Sequence, residues 1–395
     1  MANQLGTEVS PAQKRNFGQK VVHEIQTVSV LEKIIYCFVI FIPLAFVAEA
    51  LALPPIYTFF ISALAIVPLA KFLGEATEAL ASKVGDAIGG LLNASFGNAV
   101  ELIISVVALS KGLTEVVKAS ITGSIIGNIL FVMGLSMFMG GLKRKHQFFN
   151  RTAASASASQ MTLAVIALVI PAVFAATSGT GSKTNDLVEI LSIGVAAILL
   201  LSYMAQLIFF LRTHSDLTGP APSVETSPSE LSRQEEELEH SPPWSVRRAV
   251  ITLLVSTVIV GLLSEILVGS VEPLTHDLGW TQLFVGVILI AIIGNAAEHL
   301  SAVTVAMKDK MDLALSIGTG SSLQIALFVA PVLVFVGLII GHPINLNFDV
   351  FELAAIVLSV AILNLATSDG ESNWFEGVQL LAAYLIIGIA FFLHP

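Results

Sequence analysis

Apolar runs of about twenty residues recur from residue 34 to the carboxyl end, and they restrict the possible folds more than any other feature. Hydrocarbon about 30 Å thick is crossed by roughly 20 apolar residues in a helix, and only helices and closed barrels satisfy their own backbone there. The runs predict spans near 34–53, 56–80, 87–110, 116–140, 153–178, 187–211, 249–271, 281–306, 313–340, 350–366 and 374–393. The expected fold is therefore an all-α integral membrane protein with 11 transmembrane helices. Composition agrees: 12% of residues are charged and the mean hydropathy is +0.86, against about 25% charge in soluble domains. Partners are expected to be the lipid bilayer and small ions; no nucleic acid is expected for a chain this apolar, and the net charge of −10 says little on that point because the acids are concentrated in a few places. Cys37 is the only cysteine, so neither an internal disulfide nor a thiolate metal site is available. The polar amino end, 1–33, lacks the apolar core of a cleaved signal peptide.

Loop Lys and Arg set orientation. With the amino terminus in the cytosol, 15 of the 19 basic residues fall inside. Lys111, Lys118 and Lys183 fall outside and Lys71 lies within a span. The carboxyl terminus is then expected on the opposite side.

Two stretches nearly repeat each other: NASFGNAVELI, with Gly97 to Glu101, and IIGNAAEHLSA, with Gly294 to Glu298, 197 residues further on. The first lies in the third expected span and the second in the eighth, so the two cross in opposite directions. The chain divides accordingly into an extra helix at 34–53, a five-helix repeat at 54–212, a linker at 213–245 and an inverted five-helix repeat at 246–395. Secondary transporters commonly place their substrate site where such inverted repeats meet at the midplane.

On a regular helix Asn98 would share a face with Glu101, and Asn295 with Glu298. A carboxylate at the bilayer centre costs about 3 kcal/mol, and two facing each other repel. A divalent cation, protons or a basic partner must neutralise them. The basic partner fails on inventory, because Lys71 is the one base well inside a span and Glu75 and Glu78 are its near neighbours in sequence. A hard cation fits two carboxylates with amide, hydroxyl and carbonyl oxygens, and calcium takes about 6 to 8 of these. When the cation leaves, the two acids take up protons. Calcium as transported substrate and protons as counter-ion then compete for Glu101 and Glu298, with two or more protons expected per calcium. No separate cofactor is expected.

The helices after each acid carry a second match, KASITGSIIGNILFV and ALSIGTGSSLQIALFV. Gly123 and Ser124 correspond to Gly320 and Ser321, with Asn128 and Gln324 beyond them. Ser124 and Gln324 are candidate ligands beside Asn98 and Asn295, while the glycines equally fit small-residue helix packing. Glu78, Glu272, Ser321, Asn128 and His299 are candidate vestibule or supporting residues. Glu49, Glu189, Glu265 and Glu352 receive no role. The linker holds seven acids against Arg233 alone. Among them Glu235, Glu236, Glu237 and Glu239 could form an acidic helix or a solvated connector.

GNAVELI with GSIIGNILFVMG, and GNAAEHLSAV with GSSLQIALFVAP, resemble the two halves of the cation/proton exchangers, the CAX branch of the calcium:cation antiporter superfamily. NLATSDGESNWFEG, Asn364 to Gly377, is similar to the pattern before that family's last helix. The resemblance runs from about residue 35 to 393. It implies an eleven-helix exchanger that moves calcium or a related divalent cation out of the cytosol against protons, in a plasma or acidic-organelle membrane. Glu101 and Glu298 would be its cation- and proton-binding carboxylates, with Asn98, Asn295, Ser124 and Gln324 around them, and the acidic linker a cytosolic helix. Sodium-coupled relatives carry proline before each acid, where this chain has Val100 and Ala297. A sodium/calcium exchanger is the nearest rival reading and a calcium-permeable channel a remoter one. An enzyme is disfavoured, as no G-x-S-x-G, H-E-x-x-H or P-loop pattern occurs.

Overall fold

The computed structural model describes residues 30–84, 89, 92–93, 95–179, 181–213 and 244–394. The amino-terminal tail up to Ser29 and most of the acidic linker, including Glu235, Glu236, Glu237 and Glu239, lie outside the described residues.

The described residues are almost wholly helical, as the bilayer requires. In order it forms α1 (Lys33–Ala50), α2 (Pro55–Val84), α3 (Ala99–Ser110), α4 (Thr114–Gly141), α5 (Arg151–Thr177), α6 (Ser182–Ile208) and α7 (Val246–Leu278). Next come α8 in two pieces, Gln282–Gly294 and Ala296–Met307, then α9 (Met311–Ile340), α10 (Val350–Ala366) and α11 (Trp374–Leu393). Eight of these are long and apolar enough to cross a membrane, and the bent α8 makes a ninth; α3 and α10 are shorter apolar helices. The chain is a multi-pass integral membrane protein.

Polar caps mark several boundaries. Asn150 accepts the amides of Thr152 and Ala153 at the start of α5. Asp349 with Glu352 and Asn373 with Glu376 form capping boxes that open α10 and α11. Each satisfies amides that would otherwise meet the membrane interface unpaired.

The centre of the protein is α4, the most buried span, with α9 and the broken helices α3 and α8 around it; α1 lies at the periphery against α2. α4 and α8 cross closely enough that a Cβ on Gly123 would overlap the Val287 backbone. Glycine is required at that crossing.

Loop contacts fall into two groups, as alternating crossings demand. At one end Arg144 pairs with Asp309 at 3.1 Å, and Gln147 donates to the Ala306 carbonyl at 2.9 Å. There Gln147–Phe148 also forms an antiparallel strand pair with Glu371–Ser372. At the other end Lys111 donates to the Glu265 carbonyl at 3.0 Å, and Lys118 to the Asn347 carbonyl at 2.9 Å.

Two expectations are corrected. The third span is not one regular helix: the chain turns at Gly97 and Asn98 before α3 begins. α8 likewise bends by 61° at Asn295. Asn98 and Asn295 therefore stand at the N-cap position of the second half of each broken helix, with the acid three residues on in its first turn. The physical reason is local, since glycine followed by asparagine tolerates the non-helical angles of a cap.

Candidate functional site

The two breaks meet. Glu101, in the first turn of α3, is 5% exposed, and its carboxylate lies against the break in α8. A Cβ on Gly294 would sit 3.1 Å from both Cγ and Oε1 of Glu101. Four residues beyond the glycine that Glu101 touches, in the first turn after that break, lies Glu298. Its Oε2 is buried and has no hydrogen-bond partner among the described residues.

Around the acids runs one connected polar network. Asn128 donates from Nδ2 to Asn295 Oδ1 at 3.2 Å and to Ser321 Oγ at 2.9 Å. Asn295 donates to Ser124 Oγ and to the Ala291 carbonyl, both at 2.9 Å. Ser321 donates to Asn98 Oδ1 at 3.0 Å, and Asn98 donates to Gln324 Oε1 at 2.5 Å. His299 Nε2 lies 3.1 Å from Asn128 Oδ1. A carbonyl oxygen only accepts, so Nε2 carries the hydrogen.

Helix geometry places these groups. In α4 the ladder widens to a π segment at Gly127–Val132, and in α9 at Ile325–Val329. Such widenings turn side chains away from the regular register and are frequent at functional sites. They follow Ser124 and Gln324 closely and bring Asn128 inward.

The structure thus gathers Glu101, Glu298, Asn98, Asn295, Ser124, Gln324, Ser321, Asn128 and His299. Glu78 and Glu272 stand apart, exposed on α2 and near the far end of α7. Lys71 pairs with Glu75 at 3.5 Å, within its own helix.

Two features were missed in the sequence. Tyr384 of α11 is buried and stacks on Phe131 at 5.2 Å between centroids, while Phe131 meets the His299 ring at 5.7 Å. A lone tyrosine in the last apolar span was the available signal. Glu352 is buried too: it caps α10 through the Asp349 amide and accepts from Thr122 at 3.0 Å. A cap three residues after an aspartate is a readable pattern, and Glu352 has that structural role.

Among the described residues no three His, Cys, Asp or Glu side chains gather as a metal cluster. A cation here would rest on two carboxylates and neutral oxygens. That donor set suits a hard ion.

The sodium/calcium exchanger protein family matches residues 54–212 and 248–393. This chain belongs to that family. It is 50% identical over 372 residues to a Ca(2+)/H(+) antiporter of Synechocystis sp., covering 93% of this chain and 99% of the relative. A Ca(2+)/H(+) antiporter of Aphanothece halophytica is 49% identical over 369 residues, covering 92% and 97%. Among solved structures, a Ca2+/H+ antiporter protein, YfkE, superposes with a TM-score of 0.76 at 42% identity, covering 91% of this chain and 99% of that one.

Proposed function

We propose that this exchanger-family chain is a secondary antiporter that exports calcium, with other divalent cations as further candidates, in exchange for protons. The observation that carries the reading is the buried, unpartnered Oε2 of Glu298 beside the enclosed Glu101. Two ionised carboxylates in such a place are expensive. One calcium ion or two protons cancel their charge, and either neutral form lets the helices move. The ionised pair alone holds the site back, so neither ion crosses without exchange for the other.

In this reading Glu101 and Glu298 bind the cation or the protons. Asn98, Asn295, Ser124 and Gln324 supply neutral oxygens. The amide oxygens of Asn98 and Gln324 each accept one hydrogen bond and keep a second lone pair for the ion, while Asn295 Oδ1 accepts from Asn128 with Ser321 Oγ at 3.5 Å. Asn128, Ser321 and His299 hold those amides in orientation. The likeness to antiporters named for calcium and protons supports the choice of both ions.

The same reading takes α3 and α10 as crossings, which brings the total to eleven. It also takes 54–212 and 246–395 as inverted repeats, with α1 outside the symmetry. The ranges matched by the family support these boundaries. The excess of Lys and Arg places the end carrying Arg144 in the cytosol. The acidic segment at 213–245 joins the repeats on that side.

Proteoliposomes test the proposal. With an imposed pH gradient, calcium uptake is expected without sodium, and calcium affinity is expected to fall as the medium is acidified, because protons occupy the same oxygens. Uptake driven only by a sodium gradient would replace the proton reading. Uptake with no countertransport would replace the antiporter by a channel.

A further inference from the structure

A second polar site lies away from the acids. Between α5 and the end of α10 is a cleft of about 310 Å³, lined by Arg151, Ser155, Ser159 and Thr162 on one side and by Asn364 and Ser368 on the other. The first four are spaced to share one face of α5. At 1.5 Å per residue they cover about 16 Å of its length, roughly half the hydrocarbon thickness. All four are exposed.

The same face continues with Ile166, Ile170 and Val173, also exposed. It is the face an outer helix turns to lipid. The hydroxyls make a polar band on that face that a lipid's polar group can cover.

The chemistry of the cleft says what that group carries. Ser159 donates to the Ser155 carbonyl at 3.0 Å, Thr162 to the Ala158 carbonyl at 3.0 Å, and Ser368 to the Leu365 carbonyl at 2.8 Å. Their hydroxyl protons are used, so their oxygens are left as acceptors. Arg151 has no ion pair or hydrogen bond among the described residues and offers its donors freely. The nearby acids have partners of their own: Asp312 accepts from the Asn150 amide, Asp369 accepts from the Glu371 amide, and Glu371 lies 3.5 Å from His146 Nδ1. One cation and several acceptors call for a ligand with an anion and a protic group together.

The end of the molecule that holds Arg151 also has the features of a headgroup zone. Phe148, Trp374 and Phe375 are exposed there, as interfacial aromatics are. Lys143 and Lys145 line an adjoining groove with Trp374. We propose that the α5–α10 cleft binds a phospholipid headgroup, its phosphate on Arg151 and its ammonium or hydroxyl donors on the exposed hydroxyl oxygens of α5. This site stands whether or not the chain exchanges calcium for protons.

The test uses the full chain in lipid-stripped detergent, with binding of short-chain phosphatidylethanolamine, phosphatidylglycerol and phosphatidylcholine followed by native mass spectrometry. The first two lipids are expected to bind, and phosphatidylcholine, which lacks a protic donor, much less. Arg151→Gln is expected to weaken binding about tenfold, and Ser159→Leu, which fills the cleft from an exposed position, to abolish it. Lys145→Gln, outside the cleft, should change affinity less than about twofold. Circular dichroism melts confirm that each variant is folded. Equal binding by folded Arg151→Gln, equal binding of phosphatidylcholine, or displacement of the lipid by inorganic phosphate would each overturn the proposal.

Discussion

The two broken helices, α3 and α8, carry the same motif and do not build the same site. Glu101 is sealed against Gly294, whereas Glu298 is half-buried and keeps one buried oxygen without a partner. Past the acid, the first half has Leu102 where the second has His299, and the π segment holds Asn128 in α4 where α9 has Ile325. The His299–Asn128 pair therefore exists on one side of the repeat only. Near-identical motifs supply paired charges, and the unmatched polar pair fixes the amides that surround them. The lesson is that sequence symmetry sets which groups meet, while asymmetric packing sets how firmly each is held.

The comparison breaks first at the acids themselves. Glu101→Gln and Glu298→Gln are each expected to lower calcium/proton exchange in proteoliposomes by roughly a hundredfold or more, because a buried charge interaction is worth about 3 kcal/mol. Substantial exchange by either variant would mean that the two halves work separately.

The glycines sharpen it next. Gly294→Ala places a methyl group against the Glu101 carboxylate, and overpacking of about 1–3 kcal/mol corresponds to a loss of about tenfold in calcium affinity, read by isotope binding, with the melting temperature little changed. Gly97→Ala meets the Asn93 carbonyl as well as Gln324. It is expected to lower the melting temperature too.

His299→Leu makes the second half match the first at that position. It leaves Asn128 Oδ1 unpaired in the interior, a cost of about 1–3 kcal/mol, measurable by thermal unfolding. A smaller drop in calcium affinity should accompany it, and the second substitution Asn128→Ile should recover part of the stability. A loss of stability that Asn128→Ile only deepens would show that His299 acts by packing on Phe131.

The smallest effect belongs to the loops. Arg144→Ala removes a partly exposed ion pair with Asp309 and should change stability by less than about 1 kcal/mol, leaving exchange intact. A large effect would make that contact part of the moving machinery.

Much of the site was legible because its logic is one of charge. Two acids in apolar runs, each behind Gly-Asn, must find each other or be neutralised, and the serine and amide matches 197 residues apart named most of the network. The breaks just before α3 and at Asn295 are not legible in the same way, because periodicity assumes an unbroken helix. Glu352 and Tyr384 went unassigned, since a lone polar group in an apolar run reveals its partner only when the run is packed.

The sequence by itself determined the membrane location, the approximate spans, the paired acids and the family. These follow from transfer energies and residue spacing, which are local properties of the chain. Only the tertiary structure decided that both helices break at the asparagines, that Gly294 seats Glu101, that His299 orients Asn128, and that α5 and α10 enclose a polar cleft. Those depend on which surfaces approach one another, and contacts between residues far apart in the chain are set by packing that no local pattern contains.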